Sequence, residues 1–124
     1  MPFVKLHVSS RCAFSRRMLV RDVRRVLVET LGISPDHGHV VLYESSVFSR
    51  STHESRSADF VIVEILMFPG RPDEKKRLLF TRLAEVIGGR TNVPDKDILT
   101  VIVESDRGNW ARAGISLSTL DIGY

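Results

Sequence analysis

Pro2 is the residue with the most specific chemical potential in this sequence, which begins MPFVKLHV. If Met1 is removed, the nitrogen of Pro2 becomes a free secondary amine instead of an amide. A free α-amino group has a pKa near ~8, and an apolar pocket or a neighbouring cation lowers that pKa toward neutrality. A general base or acid works best in that range. Pro2 is therefore a candidate catalytic group, although a proline here is also a tolerated start to a strand.

Arginines in the first quarter of the chain offer a second kind of chemistry. The net charge is +3, and six arginines fall close together in the sequence: Arg11, Arg16, Arg17, Arg21, Arg24 and Arg25. Such a cluster could bind nucleic acid or another anionic surface. Such a cluster is more often the solvated face of a helix, and the sequence alone leaves both interpretations open.

The sequence gives little support for other classes of functional site. The sequence contains no cluster of metal ligands at a recognisable spacing and no glycine-rich phosphate loop, so we expect neither a metal nor an organic cofactor. The longest apolar run, residues 60–68, is interrupted by Glu64 and is too short to span a membrane. Lys5 and His7 break the first apolar stretch, so no signal peptide is visible. The single cysteine, Cys12, cannot form an internal disulfide, which favours a reducing, cytoplasmic setting.

The elements that position these residues follow from the hydrophobic periodicity. Residues 3–8 alternate as a half-buried strand, residues 15–31 have one apolar helical face followed by Gly32, and residues 36–43 end in an apolar strand. Residues 45–59 are polar without a sustained period, which indicates a linker or mobile flap.

The same order of elements then recurs. Residues 60–65 read as a strand, and a helix begins at residues 71–74, where Pro72 precedes acidic residues, and is expected to stop at Gly88-Gly89. Residues 98–103 form a fourth strand, and residues 114–122 could add a short strand or hairpin. The sequence therefore predicts strand, helix, strand twice over.

Short sequence matches support an internal duplication. Phe3-Val4 corresponds to Phe60-Val61, and Glu44-Ser45 corresponds to Glu104-Ser105 at nearly the same spacing. We expect one domain, residues 1–124, made of tandem β-α-β units at residues 2–45 and 59–124. Right-handed crossovers then give an α/β (α+β) fold, a four-stranded mixed sheet with two helices on one face. The other face is apolar and needs a cover, which a symmetric oligomer would supply.

These residues resemble the tautomerase superfamily, whose members include short β-α-β chains that begin with a catalytic proline. The stretch Gly70-Arg71-Pro72-Asp73-Glu74 is similar to the Gly-Arg turn and helix start of 4-oxalocrotonate tautomerase. The strand at residues 101–104, followed by Asn109-Trp110 and Gly114, resembles that family's second strand and its C-terminal segment. The fused length and the Trp110 segment are also similar to malonate semialdehyde decarboxylase. The resemblance implies a tautomerase-like fold assembled as a homotrimer.

The resemblance assigns roles to particular residues. Pro2 matches the amino-terminal general base, and Arg71 matches the arginine that binds and polarises a substrate carboxylate or carbonyl. Trp110 matches an aromatic wall that keeps the site apolar, and with Phe68 it would exclude water. Arg11 lies near the Gly-Arg position of the first unit but lacks the glycine. His39 stands where the family has an arginine early in the second strand, and it could still donate a hydrogen bond to substrate.

The departures from the family favour the least demanding reaction. Phe68 and Pro69 stand near the position of an additional arginine found in the decarboxylase and in chloroacrylic acid dehalogenases, and no clear water-activating carboxylate is present. Proton transfer between enol and ketone needs only a base and one cation. The resemblance therefore implies a cofactor-independent isomerase, a keto-enol tautomerase acting on a small anionic 2-oxo acid.

Two alternatives stay open at this stage. The same proline could serve a decarboxylase, hydratase or dehalogenase. A β-α-β duplication is also compatible with a non-catalytic basic binding module, some of which bind RNA, but the central strands lack the paired aromatic residues of an RNA-binding sheet, so nucleic acid is not the expected partner.

Overall fold

Four strands form one mixed sheet, in which the second strand of the chain lies beside the first, the first beside the third and the third beside the fourth, and both helices pack on the same face. A computed structural model describes residues 2–119. The elements of the first half are β1 (Phe3–Ser9), α1 (Arg16–Leu31) and β2 (His39–Ser45). Those of the second half are β3 (Val61–Met67), α2 (Asp73–Thr91) and β4 (Ile98–Glu104). The predicted fold class is confirmed.

Strand directions decide which loops meet. β1 runs parallel to β2, β3 runs parallel to β4, and β1 is antiparallel to β3, with Phe3 opposite Leu66. The starts of β1 and β2 therefore share one end of the sheet with the finishing ends of β3 and β4. We call this the Pro2 end, and we call the opposite end, where β1 finishes and β3 starts, the Arg11 end.

The first helix has the boundaries that its sequence predicts. Ser15 caps it by accepting a hydrogen bond from the Met18 backbone N–H, and Gly32 ends it in the left-handed conformation, with φ of 66°. Its apolar face packs into the core between the helices and the sheet, and the fully buried side chains there include Leu19, Val23, Leu27, Leu79, Leu83 and Ile87.

The prediction that α2 stops at Gly88-Gly89 is wrong. The helix continues to Thr91 and is capped by Asn92, with φ of 60°. Gly88 allows a close approach inside the helix, because a Cβ there would lie 3.3 Å from the carbonyl oxygen of Val93. The glycine thus lets the returning chain pack against the helix without ending it.

The segment predicted as a linker, residues 45–59, is held to the rest of the fold by Arg50. After β2 ends at Ser45, a short 3-10 turn spans Val47–Ser49. The Arg50 guanidinium donates hydrogen bonds to the carbonyl oxygens of Ala58 and Phe60 and lies 4.2 Å from the centre of the Phe60 ring. Arg50 therefore ties the two ends of this segment together.

A hairpin after β4 begins three residues before the short C-terminal element that the sequence predicts at residues 114–122 and overlaps its start. β5 (Ala111–Arg112) pairs antiparallel with β6 (Ile115–Ser116), and the turn between them places Ala113 and Gly114 at positive φ. The last residues of the predicted element, 120–122, lie outside the described part of the chain. None of the helices within residues 2–119 is long and apolar enough to cross a membrane.

The face of the sheet opposite the helices is partly apolar and open to solvent. Its exposed side chains are Val41, Tyr43, Leu99, Val101 and Val103, with Leu99 exposed to 64%. A His7–Glu64 contact of 2.6 Å crosses the central strands on this face. An apolar face of this kind is typical of a surface that another chain covers.

Candidate active site

Pro2 and His39 are brought together at the Pro2 end of the sheet. Pro2 is buried, and its carbonyl oxygen accepts a hydrogen bond from the His39 backbone N–H at 3.3 Å. This bond extends the parallel pairing in which Phe3 faces His39. The His39 residue itself is exposed, so its imidazole is open to solvent.

Three aromatic rings pack together at the Pro2 end of the sheet, one of them that of Phe3, the residue after Pro2. Trp110 makes edge-to-face contacts with Phe68, at 5.3 Å between ring centres, and with Phe3, at 5.8 Å. The Trp110 indole N–H donates to the carbonyl oxygen of Ser105 at 3.1 Å, which fixes the ring. Phe68 and Trp110 therefore lie together, as the sequence interpretation required. Phe3 joins these two rings. Its position among the odd-numbered residues of β1, which share one face of the strand, is the sequence feature from which this could have been predicted.

Arg71 lies four residues after the end of β3 and is half-buried. Gly70 precedes it with φ of 113°, a left-handed conformation that favours glycine. The Arg71 Nη1 lies 3.5 Å from the carbonyl oxygen of Phe68, at the limit of a hydrogen bond. Burial lowers the pKa of the Arg71 guanidinium, and the nearby Glu104 carboxylate opposes that effect. Even with a lowered pKa, the Arg71 guanidinium stays protonated at neutral pH. The site therefore holds a positive charge that is partly shielded from solvent.

A cleft of about 480 Å³ opens beside Arg71. The cleft is lined by three cationic side chains, those of Arg71, Lys75 and Arg107. Phe68 and the end of α1, at Leu31 and Gly32, also line it. Pro2 is not among the residues that line the cleft, and Phe68 belongs both to the cleft and to the aromatic cluster. The sequence interpretation missed Lys75, which lies in α2 four residues after Arg71, and Arg107, which only the folded loop after β4 brings to the cleft.

Arg11 lies at the other end of the sheet. Its guanidinium binds the Asp59 carboxylate through two hydrogen bonds, of 2.8 and 3.0 Å. These hydrogen bonds lower the pKa of Asp59, more strongly than its burial raises it. The seven residues of β1 span ~20 Å, so Arg11 cannot reach the Pro2 end of its own chain. The match of Phe3 with Phe60 aligns Asp59 with Pro2, so the Arg11 end contains an ion pair where the Pro2 end contains Pro2 and Arg71.

Most arginines of the basic cluster are engaged within the chain. Arg16 binds Glu44 through two hydrogen bonds, and Arg24 donates to backbone carbonyls at residues 35, 37 and 38. Arg21, Arg25 and Arg90 surround the buried Asp22. These contacts favour a structural role for the cluster over a nucleic-acid surface. Within residues 2–119, no three acidic, histidine or cysteine side chains are arranged to share a metal ion.

Known structures share this fold at low sequence identity. A fused 4-OT symmetric trimer, W0, has a TM-score of 0.86 and 17% identity over 94% of this chain and 99% of its own. Native fused 4-OT gives a TM-score of 0.83 and 18% identity over 95% and 98% of the two chains. FG41 malonate semialdehyde decarboxylase, inhibited by 3-bromopropiolate, gives 0.75 and 22% identity over 88% and 87%.

The family of this chain is identified by its sequence. No curated protein matches it at a significant level. The model of the Tautomerase_2 family, described as tautomerase enzyme, matches residues 44–113, which is more than half of the chain and includes Phe68, Arg71 and Trp110. The structure places these three side chains around one end of a tautomerase-like sheet, and the chain belongs to this tautomerase family.

Proposed function

We propose that this protein is a keto-enol tautomerase of small 2-oxo carboxylic acids and that Pro2 is its general base and acid. The observation that carries the proposal is that a buried Pro2, a half-buried Arg71 and the Phe3–Trp110–Phe68 cluster lie at the same end of the sheet. This end therefore offers a potential amine, a cation and an apolar wall.

The reaction needs one proton to leave an enol oxygen or a carbon and one to be delivered at another position. With Met1 removed, the Pro2 nitrogen would take the first proton and return it. Arg71 would hold the substrate carboxylate with two parallel N–H···O bonds and stabilise the negative charge of the enolate. The aromatic rings would exclude water and keep the Pro2 amine near neutral pKa. His39 would donate a hydrogen bond to a substrate oxygen.

The proposal includes a homotrimer. Solved structures with this fold are described as trimers, and the open sheet face exposes Leu99, Val101 and Val103. A neighbouring subunit would cover that face. Arg11 would contribute to substrate binding only from a neighbouring subunit, since it lies far from Pro2 in its own chain. Cys12 is a free thiol, which fits a reducing, cytoplasmic location.

Decarboxylation or hydration at the same site is the second candidate, and Arg107 is the observation that favours it. The sequence argued against these reactions because no second arginine stands next to Arg71. Arg107 supplies a second guanidinium to the cleft from a separate loop after β4. Carbon dioxide release from a 3-oxo acid incubated with the enzyme, at a rate above its enol-to-keto turnover, would establish this reaction in place of tautomerisation.

The test begins with the intact mass of the purified protein, which should lack Met1. Enol-to-keto conversion of an arylenolpyruvate is then followed by ultraviolet absorbance. We expect Pro2→Ala to lower kcat by ~100-fold or more, the usual contribution of a positioned acid or base. A matched control carries one extra residue before Pro2, which restores the amide and should be equally inactive. Full activity in either protein would exclude Pro2 as the base.

A further inference from the structure

A second cavity, at the Arg11 end of the sheet, takes no part in the proposed reaction. It has a volume of about 260 Å³, and its lining comes from the start of β3, the start of β4 and residues 51–56. Residues 51–56 belong to the segment at residues 45–59 that joins the two β-α-β units. The chemistry proposed for Pro2 gives that segment no role.

Asp97 lines this cavity and carries a carboxylate oxygen that lacks a hydrogen-bond donor. Only 3% of the residue is exposed, and its Oδ1 atom makes no hydrogen bond within residues 2–119. The Arg56 Nη1 atom lies 4.0 Å from this oxygen, which is too far for a hydrogen bond. A buried acceptor without a donor costs free energy, so a ligand that brings a donor to Asp97 would be stabilised there.

The cavity contains both signs of charge. Among the described residues that line it, Asp97 is the one acid, while Arg56 and His53 supply basic nitrogens. Asp97 would repel a simple anion, and Arg56 would repel a simple cation. A molecule with one ammonium and one carboxylate satisfies both side chains. Because Oδ1 and Nη1 are only 4.0 Å apart, the two ligand groups must also be close together, as they are on a single α-carbon.

The remaining wall of the cavity is largely apolar. Ile62 and Leu99 are neighbours across β3 and β4, and Leu99 is 64% exposed, so a ligand that covers it removes apolar surface from water. The Phe60 ring is held by the Arg50 guanidinium, 4.2 Å from its centre. The volume is slightly below the usual range of ligand pockets, so the occupant is small.

We propose that this cavity binds a free α-amino acid with an apolar side chain, such as leucine. Its ammonium group donates a hydrogen bond to Asp97, and its carboxylate accepts one from Arg56. Its side chain packs against Ile62 and Leu99. The Arg56 side chain is 39% exposed and comes from a loop, so it can turn outward to admit the ligand. The site lies at the opposite end of the sheet from Pro2 and is independent of the proposed reaction.

The first experiment compares three compounds with the same branched aliphatic chain. Leucine carries both charges, 4-methylpentanoate lacks the ammonium and 3-methylbutylamine lacks the carboxylate. Binding to the purified protein in its native assembly is measured by ligand-observed NMR titration. We expect leucine to bind at least ~10-fold more tightly than either of the others, because it makes two charge-assisted contacts instead of one. Equal binding of the three compounds, or a Kd for leucine weaker than ~10 mM, would overturn the proposal.

Variants then locate the binding site. Asp97→Asn and Arg56→Gln should each weaken leucine binding by about 10- to 100-fold. The matched controls are two exposed changes nearby, Asp95→Asn in the same 3-10 turn and Glu54→Gln in the same loop, which should bind leucine like the wild type. Pro2→Ala should also bind like the wild type, which separates this site from the candidate active site.

Thermal unfolding of each variant verifies that the fold is intact. Arg56 is exposed, so Arg56→Gln tests the site even where Asp97→Asn does not fold. Leucine binding that persists unchanged in folded Arg56→Gln would refute the site, and so would an equal loss in the Glu54→Gln control.

Discussion

Replacing Arg71 with glutamine removes the positive charge next to the aromatic cluster while keeping a hydrogen-bonding side chain of moderate length. The residue is half-buried, and its burial lowers its pKa, so its charge acts in a medium less polar than water. A hydrogen bond to a charged group contributes about 1.5–3 kcal/mol, and a guanidinium offers two to a carboxylate. A loss of about 3 kcal/mol corresponds to a ~150-fold decrease in kcat/KM.

The assay is enol-to-keto turnover under conditions that give kcat and KM separately. Arg71→Lys should lose less, about tenfold, because it keeps the charge but not the paired geometry. Thermal unfolding of both variants, measured beside turnover, separates a loss of activity from a loss of stability. A glutamine variant that unfolds like the wild type and keeps kcat/KM within threefold would refute the role given to Arg71.

Three further predictions concern the framework of the site. Asp22→Asn should lower the midpoint of thermal unfolding by about 5–10 °C, because Arg21, Arg25 and Arg90 converge on this buried carboxylate; an unchanged midpoint would contradict this. The Arg11 hydrogen bonds lower the pKa of Asp59, so their stabilisation exists above its unfolded pKa of ~3.9 and is lost as the pH falls through the folded value. Asp59→Asn should therefore be less stable than wild type at pH ~7, and denaturant titrations should show the difference disappearing in acid instead of persisting. Val101→Asp should dissociate the proposed trimer in light scattering, whereas Leu78→Asp, an equally exposed change on α2, should not.

The elements of the fold were predictable because local patterns determine them. Ser15 and Gly32 bracket α1 by capping chemistry that acts within a few residues. The α2 boundary was misjudged because glycine lowers helix propensity, whereas here the packing of Gly88 against the Val93 carbonyl oxygen decides the outcome. Propensity arguments cannot detect a contact that forms only after the chain turns back.

Some of the candidate site residues could be predicted from the sequence and others could not. Pro2, Phe68 and Arg71 lie near ends of predicted strands, so the topology alone brings them to one end of the sheet, whereas Trp110 was identified from the family resemblance. Arg107 has no periodic signal, and its place in the cleft depends on the 3-10 turn after β4. The order and direction of the strands do not determine how that loop folds back toward Phe68.

The Arg11–Asp59 ion pair has a consequence for how this chain can evolve. A covalently joined pair of units has one amino terminus, so the position aligned with Pro2 in the second half is held in a peptide bond and cannot present an amine. Asp59 stands there and pairs with Arg11 at 2.8 Å, so an ion pair occupies the Arg11 end of the sheet. Residues at the Arg11 end, from both halves of the chain, can therefore change for stability or assembly without altering the candidate site at the Pro2 end.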